Sequence, residues 1–225
     1  MRQTARMGYD LGSVSGAQPL EGVAARALFA RVMLLVAITC GFAALGAYAG
    51  RNLTGLQWLI PWVGALVCIV GLNVAAQRAP TLAVALLFGL GFLLGLAVGV
   101  TVVWYAENEP TVVWQAAGAT GLTVAGMGTW GYATRRDLSY LYRTLFFCLL
   151  GLIAFGLVIV LFNISGARTI YALAGIAIFS GYTLVDFNRL RRAGSDAAVP
   201  IAAGIFLDVF NLFLLFLQLF GSARN

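Results

Sequence analysis

No lysine and no histidine occur among the 225 residues, and only 10% of them are charged. Each absence excludes something. Without lysine there is no side-chain amine for a Schiff base, so a retinal-type photoreceptor is ruled out by chemistry. Without histidine the usual zinc and haem ligands are missing. A soluble globule carries roughly 25% charged residues, and the shortfall leaves no surface for a large soluble domain. Cysteine is scarce too: Cys40, Cys68 and Cys148 stand alone in apolar runs, at spacings that fit no metal motif. They read as small buried apolar side chains.

What is present is apolar: 61% of the residues are hydrophobic. A spanning helix needs about 20 such residues, and seven runs qualify, at 27–50, 54–76, 81–105, 112–133, 142–163, 169–190 and 198–220. The fold class is therefore an all-α membrane protein, a seven-transmembrane-helix bundle. Residues 1–24 read as a flexible cytoplasmic tail, 25–221 as the transmembrane domain and 222–225 as a short tail. Pro80, Pro110 and Pro200 fall at run starts, where proline suits a first helical turn, while Pro61 lies inside the second run and should bend it. Gly91, Gly95 and Gly99 line one face of the third run, so that another helix approaches closely. The same face also suits an oligomer contact. Trp58, Trp62, Trp104, Trp114 and Trp130 lie toward run ends, as interfacial anchors do.

All fourteen basic residues are arginine. Eleven fall in the amino-terminal tail and around loops 2–3, 4–5 and 6–7, against Arg51, Arg168 and Arg224 on the other side. That split predicts a cytoplasmic amino terminus and an external carboxyl terminus. The arginine excess belongs to membrane orientation and implies no nucleic acid.

Of eight acidic residues, only Asp186 and Asp208 lie within spans. Each costs about 2.5–3.5 kcal/mol near a bilayer centre on insertion scales, so such residues face the protein interior and mark a pathway. The short connection between the last two runs makes them antiparallel neighbours. Asp186 is placed about 10 Å and Asp208 about 15 Å from the same surface, near enough in depth to meet. Two full charges about 4 Å apart repel by about 4 kcal/mol at an effective dielectric near 20, so the pair would share a proton and titrate as a unit. Paired carboxylates also make a hard-oxygen site suited to Ca²⁺. The plainer alternative is that each aspartate locks helices through hydrogen bonds. Asn73, Asn211 and Gln218 are expected to hydrogen-bond between helices, and Arg78 lies where an ion pair with the acids is within reach.

The stretches GYTLVDFNRLRR and IAAGIFLDVFNLFLLFLQLFG, with RRDLSYLYRTLFFCLLGLIAFGLVIVLFNIS before them, resemble the signature of the Bax inhibitor 1 family, the transmembrane Bax-inhibitor-motif proteins, in its bacterial form. The resemblance spans about residues 78–221. It implies a bundle with the last helix central and a pH-sensitive Ca²⁺ leak. It assigns the pH sensor to Asp186 and Asp208, and a latch to Arg78. Two departures stand out: Val185 replaces the tyrosine before the first acid, and Val67 replaces an acid of some relatives.

The expected function is thus a pH-sensitive calcium leak channel and not an enzyme. Asp186 and Asp208 serve as sensor, ion pathway and metal ligands, Arg78 as latch, and Asn211 and Asn73 as supporting polar groups. No cofactor is expected beyond Ca²⁺ as the transported ion. The partners are the lipid bilayer, Ca²⁺ and H⁺, with a homo-oligomer or membrane-protein partner left open. Two rivals remain: a non-conducting regulator, and an intramembrane aspartyl protease, against which stands IFLD at 205–208 where that family has GxGD.

Overall fold

A computed structural model of the chain describes residues 22–162, 164 and 166–222. The expected tails therefore lie almost wholly outside the described residues. Seven helices follow one another: α1 (Gly22–Ala49), α2 (Leu59–Arg78), α3 (Pro80–Asn108), α4 (Pro110–Ala133), α5 (Leu141–Phe162), α6 (Ala167–Leu190) and α7 (Ala198–Ser222). No strand occurs among the described residues, as hydrocarbon requires of a chain that must satisfy its backbone within each span.

Prolines set several of the boundaries. Pro80 and Pro110 are the first residues of α3 and α4, where the missing N–H is no loss. Pro61 corrects the expectation of a bend. Two short 3-10 turns precede α2, which begins at Leu59. Pro61 thus lies in the first turn, and no interior hydrogen bond is broken.

Among the described residues six helices are long and apolar enough to cross a membrane; α4 falls short on composition alone. Its glycines, threonines and Gln115 dilute the run. Contacts nonetheless carry it through the full height of the bundle. At its start Val112 and Ala116 cluster with Leu217 near the end of α7. Near its end, Gly131 lies where a side chain would strike the Leu184 backbone, close to the end of α6. Because α6 and α7 are antiparallel, those two levels are opposite ends. The α4 threonines are tolerated because Thr120 and Thr123 donate to carbonyls one turn back, each at 2.8 Å.

The last helix is central: α7 touches α1, α2, α3, α4 and α6. By contrast, α5 packs chiefly on α6 and leaves most of its surface to lipid. One end of the bundle is closed by a cluster containing Leu28, Leu72, Leu190 and Val199, and carries Arg78, Arg135, Arg136, Arg189, Arg191 and Arg192. The other end holds Arg51, Glu107, Glu109 and Arg168. The charge asymmetry of the sequence is thus an asymmetry between two faces.

The glycine stripe is spent on internal packing. A Cβ on Gly91 would lie 2.6 Å from the Thr39 carbonyl oxygen, and one on Gly95 or Gly99 would strike the carbonyls of Ala43 or Ala47. Gly46 on α1 and Gly50 just after its end return the contact against Phe92 and Leu96. Backbone meets backbone along this seam, which leaves the stripe no face for an oligomer.

Candidate functional site

The α6–α7 hairpin turns through 191–197, and its helices press together over their whole length. Both aspartates point into the contact: Asp186 is 6% exposed and Asp208 4%. Asp186 is shallower than expected, while Asp208 lies ten residues into α7 as expected. α6 ends at Leu190, so Asp186 lies only about one turn from its end, roughly 6 Å. It lies level with Gly204, where any Cβ would strike its Oδ2. Asp208 is one turn further along α7, about 6 Å deeper, and level with Thr183 of α6. The pair is staggered, not opposed.

The bare backbone at Gly204 is what admits the Asp186 carboxylate. Sequence reasoning passed over this residue, although a glycine four positions before a buried acid lies on the same helix face. Asp186 and Asp208 lie within electrostatic reach of each other, and the Thr183 hydroxyl is a hydrogen-bond partner of Asp208. That hydroxyl has one proton, which it gives to the Phe179 carbonyl at 2.9 Å. The Asp208 carboxylate is the alternative acceptor for that proton. Asp208 Oδ2 is buried without any hydrogen-bond partner. The Tyr182 hydroxyl also lies within the field of Asp208.

The other expected site residues are placed as follows. Arg78 is the last residue of α2, exposed on the arginine-rich face, and no ion pair of it is present among the described residues. The arginine whose charge reaches Asp186 is Arg189, on α6 itself. Asn73 and Asn211 correct the expectation of bonds between helices. Each donates to its own helix one turn back, Asn73 to Ile69 at 2.8 Å and Asn211 to Leu207 at 2.7 Å. The i−4 carbonyl is the nearest acceptor and needs no second helix. Gln218 does bond across helices, to the Arg168 carbonyl at 3.4 Å. Val185 is fully buried, while Val67 faces outward from α2 at 65% exposed.

Asn188 was not anticipated. Two residues beyond Asp186, it points to the opposite side of α6 and is 1% exposed. Its amide nitrogen donates to the carbonyls of Gly131, Thr134 and Arg136 at 2.9–3.1 Å. Its oxygen accepts from Leu138 N at 3.1 Å and Arg192 at 2.6 Å. Arg192 also pairs with Asp137 at 2.7 Å. The turn between α4 and α5 is thereby pinned to the end of α6. A polar amide two positions from an intramembrane acid, just ahead of arginines, was the available signal.

A profile of the family described as Inhibitor of apoptosis-promoting Bax1 matches residues 25–225. The chain belongs to this Bax inhibitor family. Its Bax inhibitor relatives include YrjE, an uncharacterised protein of Lactococcus lactis, 27% identical over 75% of this chain and 74% of that one. An uncharacterised membrane protein of Vibrio cholerae is 27% identical over 59% of this chain and 60% of its own length. Another, from Streptococcus pyogenes, is 26% identical over 86% of this chain and 91% of its own. The resemblance read over about residues 78–221 thus extends back to residue 25.

Proposed function

We propose that this protein is a pH-sensitive leak for Ca²⁺, gated by the charge state of Asp186 and Asp208, with its arginine-rich face toward the cytoplasm. The observation that carries the reading is the staggered acid pair buried between α6 and the central helix, with Asp208 Oδ2 unpartnered. Buried carboxylates this close favour a form in which a proton is shared. Loss of that proton leaves two like charges across one helix contact, and α6 and α7 are driven apart. The same event supplies the hard-oxygen ligands that a divalent cation needs.

Ca²⁺ takes about 6–8 oxygens, and two carboxylates offer fewer. The remainder comes from water and backbone, as befits an ion in passage. No group of three or more acids or thiols that would hold it longer occurs among the described residues. Arg78, at the end of α2, engages the acids in the shut form and releases them on opening. Reconstitution of the purified protein in liposomes tests the reading. Ca²⁺ efflux should depend on pH, and Asp186→Asn and Asp208→Asn should each move the midpoint by about one unit or more. Wild-type pH dependence in both variants overturns the sensor. A chain that passes no ions at any pH is a regulator instead. Arg78→Ala should raise basal flux, and an unchanged or lower flux removes the latch.

A further inference from the structure

α1 packs tightly on α3 and meets α4 near the arginine-rich end, at Phe29 and Tyr132. Between α1 and α4 runs a slot of about 920 Å³, within the about 300–1,000 Å³ of ligand-holding cavities. Its floor is Val98 of α3 with Phe206, Phe210 and Phe213 of α7. Its walls are small side chains: Cys40, Ala43 and Ala47 on α1, and Ala117, Gly121 and Ala125 on α4. Met33 to Ala47 alone covers about 21 Å of α1, longer than the roughly 15 Å of one leaflet's hydrocarbon.

Two glycines in the first half of α4 differ from the stripe on α3. A Cβ on Gly118 or Gly121 would meet nothing within 4 Å. They lower helix propensity and gain no helix contact in return. The one charge on the slot is Arg26, at the arginine-rich end, beside the Phe29–Tyr132 edge contact at 5.3 Å. A long, narrow, apolar trough with a single cation at one end suits one kind of occupant on each count. Its body is a flexible hydrocarbon chain and its head is an anion at the membrane surface.

We infer that the α1–α4 slot is a binding site for an anionic phospholipid, one acyl chain lying on the α7 phenylalanines and its phosphate group at Arg26. The site is separate from the acid pair and does not depend on the leak reading. Native mass spectrometry of the full chain, loaded from vesicles of phosphatidylglycerol or phosphatidylcholine, tests it. The wild type should retain about one phospholipid per chain, with a roughly fivefold preference for phosphatidylglycerol, the effect expected of one arginine. Gly121→Phe should fold, since its Cβ enters open space, and should lose the retained lipid. Arg26→Gln should keep a lipid and lose the preference. Ala125→Leu fills the same trough and serves where Gly121→Phe does not fold. Wild-type retention in the filled variants overturns the site. So does a lipid-free dimer that the filled variants convert to monomer, because a second copy then occupies the slot. Equal binding of both lipids by wild type and Arg26→Gln removes the headgroup contact.

Discussion

Glycine serves opposite ends in the two helix contacts that matter most. Along α1–α3, Gly46, Gly50, Gly91, Gly95 and Gly99 bring backbone onto backbone and leave room for nothing else. At α6–α7, Gly204 makes room for a carboxylate. Lipid tails are as apolar as leucine, so no hydrophobic force joins helices here, and the seam rests on close van der Waals contact. Such a contact is stiff and has nothing to titrate. The α6–α7 contact holds two buried acids, the groups that the proposed switch would titrate. One contact holds the bundle together, and the other has the chemistry of a switch.

The comparison breaks hardest at the seam. Gly95→Leu places a side chain into the Ala43 carbonyl, a backbone atom that cannot turn aside. The expected loss of stability is at least the about 1–3 kcal/mol of overpacking, read as earlier unfolding in a denaturing-detergent titration. Molecules that stay folded should keep the wild-type pH midpoint of Ca²⁺ flux, since the seam holds no titrating group. A shifted midpoint in Gly95→Leu would join the two contacts into one device.

Gly204→Ala sharpens the comparison from the other side. The atom its Cβ meets is the Asp186 carboxylate, the free end of a side chain, which swings away at little cost. Stability should change by less than about 1 kcal/mol. The pH midpoint should still move, by less than in Asp186→Asn, because the two carboxyls part without either being removed. An unmoved midpoint would mean that their mutual approach is not what titrates.

Sequence alone revealed those parts that depend on composition and spacing. Apolar runs, prolines at helix starts, the four-residue glycine stripe and two isolated acids each follow from one local rule. What escaped depends on where a neighbour lies. Pro61 was misplaced because the 3-10 turns that precede α2 were not seen. Asp186 was placed about 10 Å deep because α6 was read as running on to the arginines, whereas it stops at Leu190 and leaves the acid about 6 Å in. Asn73 and Asn211 found acceptors in their own helices, while Asn188, unremarked, ties three carbonyls to α6. The slot beside α4 is a relation between α1, α3, α4 and α7, and no single run announces it.

The smallest effect belongs to the other acid near this end of α6. Asp137 accepts from Ser139 N at 2.8 Å and pairs with Arg192. The hydrogen bonds from Ser139, and then Arg192, hold its carboxyl at about 2, below the usual 3.8. A depressed carboxyl stabilises the folded state fully above its ordinary value, and the contribution fades as pH falls toward 2. Between about pH 5 and 8 it therefore stays ionised, and its tie to Arg192, which also touches Asn188, does not change. Asp137→Asn should leave the pH midpoint of flux where it is, with only a slight loss of stability above pH 4, since the group is exposed. Were the midpoint to move, the turn between α4 and α5 would be part of the sensor, acting through Arg192 and Asn188 on the far side of α6 from Asp186.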